Sequence, residues 1–262
     1  MNADATDPHR SLFRRIWRIG VRIVLGGIAF FLLYTLYCVF SVWDLCDLSK
    51  KNPKTTAFIE QRKEEWEQEG VKRKINQKWV PLSSLSRHLK NAVIVTEDPN
   101  FYSHQGLDFY AIKLALEENL ERGEIARGAS TITQQLMKNL YLTASQNPLR
   151  KWREAILTLR VERCVSKNRI LEIYLNVIEW GESVYGAEAA ARKYFGKSSS
   201  ALNPAESALL AAMIRNPILY NPYRWNSKLM KNKNLTLRLM LKSGKLSRGE
   251  YYAAVNQSIR LR

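Results

Sequence analysis

Cysteine, histidine and acidic side chains are what this 262-residue chain is short of. Its three cysteines, Cys38, Cys46 and Cys164, are odd in number, widely spaced and without His or Cys neighbours at metal-ligand intervals. That pattern reads as neither a disulfide framework nor a zinc site. His88 and His104 also lack metal-ligand spacing, which leaves them structural or hydrogen-bonding roles. There is no internal repeat, no sustained heptad and no series of alternating strands, so solenoids, coiled coils and all-β folds are excluded. The shortage of acid leaves 24 acidic against 41 basic residues, a formal charge of +17. Such an excess implies an anionic partner: phosphate groups, nucleic acid or an acidic lipid surface. Composition does not choose among them. With 46% hydrophobic residues the chain can bury a core, and disorder is not expected.

Charge is absent altogether from residues 23–43, IVLGGIAFFLLYTLYCVFSVW. As a helix rising 1.5 Å per residue, this run just spans a hydrocarbon core of roughly 30 Å. Arg10, Arg14, Arg15, Arg18 and Arg22 precede it and Asp44 and Asp47 follow. The positive-inside rule then predicts a cytoplasmic segment at 1–22, a transmembrane anchor at 23–43 and everything later outside. A cleaved signal peptide fits less well, because the apolar run is too long and no A-x-A site follows. Residues 44–79 are polar and charge-rich and read as a stalk, with Phe58, Ile59, Arg62 and Trp66 on one helical face. The first 43 residues hold five basic and two acidic side chains, so the remainder keeps 36 and 22 and a formal +14. The anchor does not account for the charge.

From residue 80 to 262, apolar residues recur at three- and four-residue intervals, as in Leu85, Leu89 and Val93. This predicts one mostly α domain with, at most, a short strand near Lys74–Val80. Asn147-Pro148 and Asn203-Pro204 are helix starts. Three elements carry chemistry. In Glu97-Asp98-Pro99, the proline ends the preceding helix and leaves Glu97 near its C-terminus, where the macrodipole and partial burial both push a carboxylate toward a higher pKa. Taken alone, a Glu more commonly ends in an ion pair. In Gly128-Ala129-Ser130-Thr131-Ile132-Thr133-Gln134-Gln135, small polar residues lead into a helix that also carries Lys138. Thr131 and Gln134 have capping-box spacing, and such an N-terminus suits phosphate as well as plain capping. Arg150, Lys151 and Glu154 share a helical face, either as a surface ion pair or as a cationic cradle whose carboxylate orients an anion or holds a divalent metal.

In this order and spacing the elements resemble the transglycosylase family of bacterial peptidoglycan synthesis, whose glycosyltransferase module also begins bifunctional penicillin-binding proteins. The first signature is similar to Glu97-Asp98-x-x-Phe101-x-x-His104-x-Gly106. The second matches Gly128 to Gln135 with Lys138-Asn139, and the third Arg150-Lys151-x-x-Glu154. Two more follow, Arg169 to Asn176 leading to Gly181, and Leu202-x-x-x-Glu206 leading to Pro217. Ala129 departs from the usual second glycine, a strain if that backbone must be left-handed.

The resemblance implies a lysozyme-like, mostly α fold behind one transmembrane helix, and polymerisation of lipid II with inversion. Glu97 would be the general base. Ser130, Thr131, Gln134, Lys138, Arg150 and Lys151 would bind the pyrophosphate, and Glu154 would arrange the leaving group, with Mg²⁺ or another divalent cation as the only cofactor considered. The partners implied are lipid II, the growing glycan chain, membrane lipid and other cell-wall synthesis and division proteins, with no nucleic acid. The expected place is the outer face of the bacterial inner membrane. No Ser-x-x-Lys occurs and about 40 residues follow the last motif, which points to the monofunctional members without transpeptidase activity. Two alternatives remain: a lytic, lysozyme-like muramidase, and a membrane-anchored basic binding protein supported by the ten basic residues and single acid between Arg224 and Arg262.

Overall fold

The computed structural model describes residues 8–123, 128–143, 147–224 and 226–262, the side chains of residues 8–11 excepted. Residues 1–7 of the expected cytoplasmic segment, the Arg10 side chain and position 225 in the basic C-terminal stretch therefore lie outside the described residues. Two compact units result, residues 1–43 and 44–262.

The first unit is a single helix, α1 (Pro8–Phe40). It is long and apolar enough to cross a membrane, and Ile23, Leu25, Phe30 and Leu33 are among its exposed apolar side chains. The arginines Arg14, Arg15, Arg18 and Arg22 lie on this same helix rather than on a separate flank.

The second unit is mostly α, as periodicity predicts. Its helices are α2 (Ala57–Gln68), α3 (Arg87–Glu97), α4 (Phe109–Arg122), α5 (Ile132–Tyr141), α6 (Pro148–Glu162), α7 (Lys167–Val177), α8 (Ala187–Phe195), α9 (Pro204–Met213), α10 (Ser227–Lys242) and α11 (Arg248–Asn256). Side-chain caps start most of them. Ser86, Asp108, Thr131, Asn147, Ser166 and Asn203 each accept a hydrogen bond from a first-turn N–H, satisfying donors that the helix itself cannot. A small sheet joins β1 (Asn76–Gln77), β2 (Glu179–Gly181) and β3 (Val184–Tyr185) in the order β1-β3-β2, with β1 parallel and β2 antiparallel to β3.

The core has two centres. Every residue of α9 from Ala205 to Met213 is buried, including Glu206 and Ser207, and α3 and α10 pack on its largely apolar surface. The basic C-terminal stretch thus joins the core through Leu229, Leu237 and Met240. Around the other centre, α5 packs against α2, α6 and α7. Asn176 ties α7 to the chain before α3. Its amide donates to the Val80 carbonyl at 2.9 Å and accepts from the Val80 N–H at 2.9 Å, completing a side-chain imitation of a strand pair. Gly186 has φ +81°, and a Cβ there would lie 2.6 Å from the Asn176 carbonyl oxygen, so this approach admits only glycine.

Two expectations are corrected. Residues 44–79 are not a free stalk but part of the second unit. Leu45, Leu48, Ile59 and Trp66 are buried, and α2 packs on α5. Arg169 secures this segment by donating to the Leu48 carbonyl at 2.8 Å, the Lys51 carbonyl at 2.9 Å and Asn52 Oδ1 at 2.7 Å. The polar composition of α2 reflects its outward face, where Lys63, Glu64, Glu67 and Gln68 are exposed. Second, Cys46 and Cys164 form a disulfide across 118 residues, with Cα atoms 5.5 Å apart, leaving Cys38 as the free cysteine. Spacing could not reveal this pair, because packing of the short helix Leu45–Ser49 on α6 brings the two together.

Candidate active site

Two cavities meet at Glu97. The first, of about 480 Å³, is lined by Glu97 and Glu154 and by the cations Arg62, Lys138, Arg150, Lys151 and Arg215. The second, of about 630 Å³, is lined by Glu97, Asp98, Asp108, Glu118 and Thr131, with Arg215 again at its wall. Four residues line both: Glu97, Ser130, Gln135 and Arg215.

Glu97 is the last residue of α3, with Asp98 as the C-cap. Its Oε2 accepts from Gln135 Nε2 at 2.8 Å, while its Oε1 is shielded from water and has no hydrogen-bond partner among the described residues. Burial raises the carboxyl above its ordinary range. The Gln135 hydrogen bond and the Arg215 charge oppose that rise, and neighbouring Asp98 adds to it. Gln135 is itself oriented, since its Oε1 accepts from the Tyr174 hydroxyl at 2.7 Å, and burial holds that phenol protonated. The amide therefore turns its NH₂ toward Glu97. Tyr174→Phe would free it to rotate, and we expect the Glu97 carboxyl to titrate higher still, since it loses a bond that favours its charged form. An NMR or infrared titration of the carboxyl reads the shift, and an unchanged titration would contradict this orienting role.

The rest of the first signature is scaffold. Asp98, 4% exposed, accepts from the Ile132 N–H at 3.0 Å and from His104 Nε2 at 3.0 Å. His104 Nδ1 accepts from the Gly106 N–H at 3.1 Å, which places the ring proton on Nε2. Gly106 has φ +88°, and a Cβ there would meet Thr158 Cγ2 at 2.7 Å. Phe101 is fully buried, with Lys167 Nζ 4.5 Å above its ring. Asp98, His104 and Asp108 lie close enough to suggest a metal triad. Yet the His104 proton faces Asp98, while Asp108 caps α4 at the Ala111 N–H and accepts from Asn100. This is a closed hydrogen-bond network.

The N-terminus of α5 is likewise already occupied. Thr131 and Gln134 form a capping box, and the Thr131 hydroxyl also donates to the Gly106 carbonyl at 2.6 Å. With the Asp98 carboxylate on Ile132, the expected phosphate seat holds an anion of the protein's own. Thr131 and Gln134, 2% and 4% exposed, hold the loop. Ser130 stays at the cavity wall, where Lys151 Nζ donates to its hydroxyl at 3.1 Å. Ala129 shows no strain, since the only described non-glycine residue with positive φ is Ser183. The turn does not need a second glycine.

On α6, Glu154 is 2% exposed and both its oxygens are engaged. Oε2 accepts from Arg150 Nη1 at 3.0 Å, and Oε1 accepts from Lys151 Nζ and from Gln134 Nε2 at 3.4 Å. A divalent cation does not fit at this carboxylate, because two cationic side chains already fill its lone pairs and would repel the ion. Lys138 differs. It is half-buried at the first cavity and, among the described residues, has no hydrogen-bond or ion-pair partner.

Several cavity residues escape sequence reasoning. Arg62 reaches the first cavity from α2, pairing with Glu179 at 3.4 Å and Glu65 at 2.9 Å, and burial raises the Glu179 carboxyl. Its helical face is visible in the sequence, but the surrounding polar composition points to a stalk rather than to a cavity wall. Gln135 lay in the second signature without a role. Arg215 had no signal beyond its place two residues before Pro217.

A shielded carboxylate that shares a cavity with five cationic side chains marks this cleft as the candidate site. Residues 63–241 match the family model described as Transglycosylase. Proteins called biosynthetic peptidoglycan transglycosylase are similar along most of their length. That of Nitrosomonas eutropha is 44% identical over 79% of this chain and 86% of its own, and that of Nitrosospira multiformis 42% over 82% and 92%. That of Chromobacterium violaceum is 42% identical over 79% and 90%. The chain belongs to this family, the biosynthetic peptidoglycan transglycosylases. Among solved structures, penicillin-binding protein 1A from Haemophilus influenzae aligns with 71% of this chain and 18% of its own, at 22% identity and a TM-score of 0.42.

Proposed function

We propose that this chain polymerises lipid II into glycan strands, with Glu97 as the lone general base. Glu97 carries the reading, because it lines both cavities and its Oε1 has no hydrogen-bond partner among the described residues. In this mechanism Glu97 takes the proton from the 4-hydroxyl of the incoming unit's N-acetylglucosamine. That oxygen attacks C1 of the chain's N-acetylmuramic acid from the side opposite the pyrophosphate, so the new bond forms with inversion as the C1–O bond to pyrophosphate breaks. The departing group leaves as an anion and needs positive charge rather than a proton. Lys138, Arg150 and Lys151 supply it, with Glu154 holding the last two in place.

A lytic muramidase would use a second carboxylate as an acid or nucleophile. The other acids lining these cavities are committed: Asp98, Asp108, Glu154 and Glu179 to the bonds above, and Glu118 to Arg122 at 2.9 Å. A single base opposite cations therefore favours synthesis over hydrolysis. The first experiment is polymerisation of purified lipid II by the wild type, and release of soluble fragments from preformed glycan without polymer would favour the lytic reading. Lys138→Gln should lower kcat by about 100-fold, in the range for removing one transition-state donor. It should leave the melting temperature within a few degrees, because Lys138 makes no ion pair. An active Lys138→Gln would remove it from the pyrophosphate site.

Membrane attachment belongs to the same proposal. We read α1 as a single-pass anchor in the inner membrane, with residues 44–262 outside, where the disulfide survives in an oxidising compartment. On α4 only Ala115 is buried, while Phe109, Tyr110, Leu116 and Leu120 are exposed. An amphipathic face of this kind suits the headgroup region in which a polyprenyl-linked substrate is presented.

A further inference from the structure

We propose that the exposed face of α10 is a recognition surface for the acidic peptide that the substrate carries on its N-acetylmuramic acid. The inference rests on the polymerase reading, in which that substrate is lipid II. Lys228, Lys231, Leu235, Arg238 and Lys242 recur at three- and four-residue intervals and so share one face of α10, a stripe about 21 Å long. All five are exposed, and among the described residues none of the four cations has a hydrogen-bond or ion-pair partner. The helix contains no acidic residue, and Glu250, the single acid between Arg224 and Arg262, caps α11 and pairs with Arg87 at 3.5 Å. Like charges spaced in this way repel one another, and an anion laid across the stripe relieves the repulsion.

What surrounds the stripe fixes the chemistry of its partner. The opposite face of α10, with Leu229, Leu237 and Met240, is buried in the core where the helix packs on α3 and α9. No apolar face is left to sink into a bilayer, so the stripe reads charge at the surface. Leu239, four residues after Leu235 and therefore beside it, lines the second cavity together with Glu97. The stripe thus stands at the rim of that cavity. Among the described residues lining it, acids outnumber cations, with Glu97, Asp98, Asp108 and Glu118 against Arg215. A peptide carboxylate is repelled by such a lining and drawn to the basic rim. A sugar seated beside Glu97 would accordingly direct its peptide outward along α10.

Two forms of lipid II test this, one with free peptide carboxylates and one with those carboxylates converted to amides, each polymerised by the full chain in detergent. For the wild type, amidation should raise the apparent KM about tenfold, the combined scale of a few exposed ion pairs, and leave kcat within about twofold. Added salt should raise KM for the free form and not for the amidated one. Lys228→Gln, Lys231→Gln, Arg238→Gln and Lys242→Gln combined should bring KM for the free form to the amidated value. The melting temperature should not fall, because no bond is lost. If the fourfold variant does not fold, Arg238→Gln alone should narrow the difference between the two forms by about twofold. Equal KM values in the wild type, or an amidation effect undiminished in the variants, would overturn the assignment. A fourfold variant that keeps the amidation effect but loses binding to phosphatidylglycerol vesicles would also overturn it, in favour of a lipid surface. A wild type that makes no polymer from either form would instead overturn the polymerase reading, and this inference with it.

Discussion

Glu97→Gln is expected to lower kcat by about 10²–10⁴-fold, the usual contribution of a positioned general base, while the protein becomes no less stable at neutral pH. Activity and stability part company here because the same burial serves one and costs the other. Burial holds the Glu97 carboxyl above its ordinary value, whereas in the unfolded chain it titrates as any glutamate. A group raised in this way contributes stability that is complete below the unfolded value and is lost as pH rises through the folded one. Above that window the wild type bears a cost that the neutral amide avoids. The variant should thus melt at or above the wild-type temperature at neutral pH, with the difference vanishing as pH falls below the ordinary carboxylate range. For the wild type, the acid limb of kcat/KM should lie above that range, because the base is protonated below its raised pKa. Thermal melts and lipid II kinetics over the same pH series test all three statements. Full activity in a folded Glu97→Gln protein would remove Glu97 from the chemistry.

Cutting the Cys46–Cys164 bridge should cost about 3–5 kcal/mol of stability, as expected for a cross-link closing a loop of more than a hundred residues. Cys46→Ser, Cys164→Ser and the double variant should lose the same amount. The wild type in dithiothreitol should match them in urea unfolding. The bridge joins the segment after the anchor to the residues following α6, the helix that carries Arg150, Lys151 and Glu154. Partial unfolding at this end would therefore reach the cationic wall of the first cavity, and reductant should lower activity at temperatures where the oxidised enzyme is intact. A wild type indifferent to reductant, equal in stability to the serine variants, would contradict the bridge's role.

Much of the site was legible one element at a time. Pro99 announced the end of α3 and so the place of Glu97, and Thr131 and Gln134 had the spacing of the capping box they form. Arg150, Lys151 and Glu154 were readable as one helical face. What could not be read was how fully these groups are used. Thr131 and Gln134 suited a phosphate until Asp98, more than thirty residues earlier, proved to occupy the same helix end. Glu154 suited a metal until Arg150, Lys151 and Gln134 proved to fill its oxygens. The polar stretch from 44 to 79 suited a stalk until Arg169, Cys164 and α5 proved to hold it.

By itself the sequence determined the apolar run, the helix starts at Thr131, Asn147 and Asn203, and the order of the signatures. Each of these depends on residues within a turn or two of one another, or on simple composition. Only the tertiary structure decided the disulfide, the role of Arg62 in the first cavity, the proton position on His104 and the place of Arg215 between two cavities. Those features depend on side chains from different helices meeting in space. A partner's identity there is set by packing and by competition for each hydrogen-bonding atom, and spacing along the chain carries no record of either.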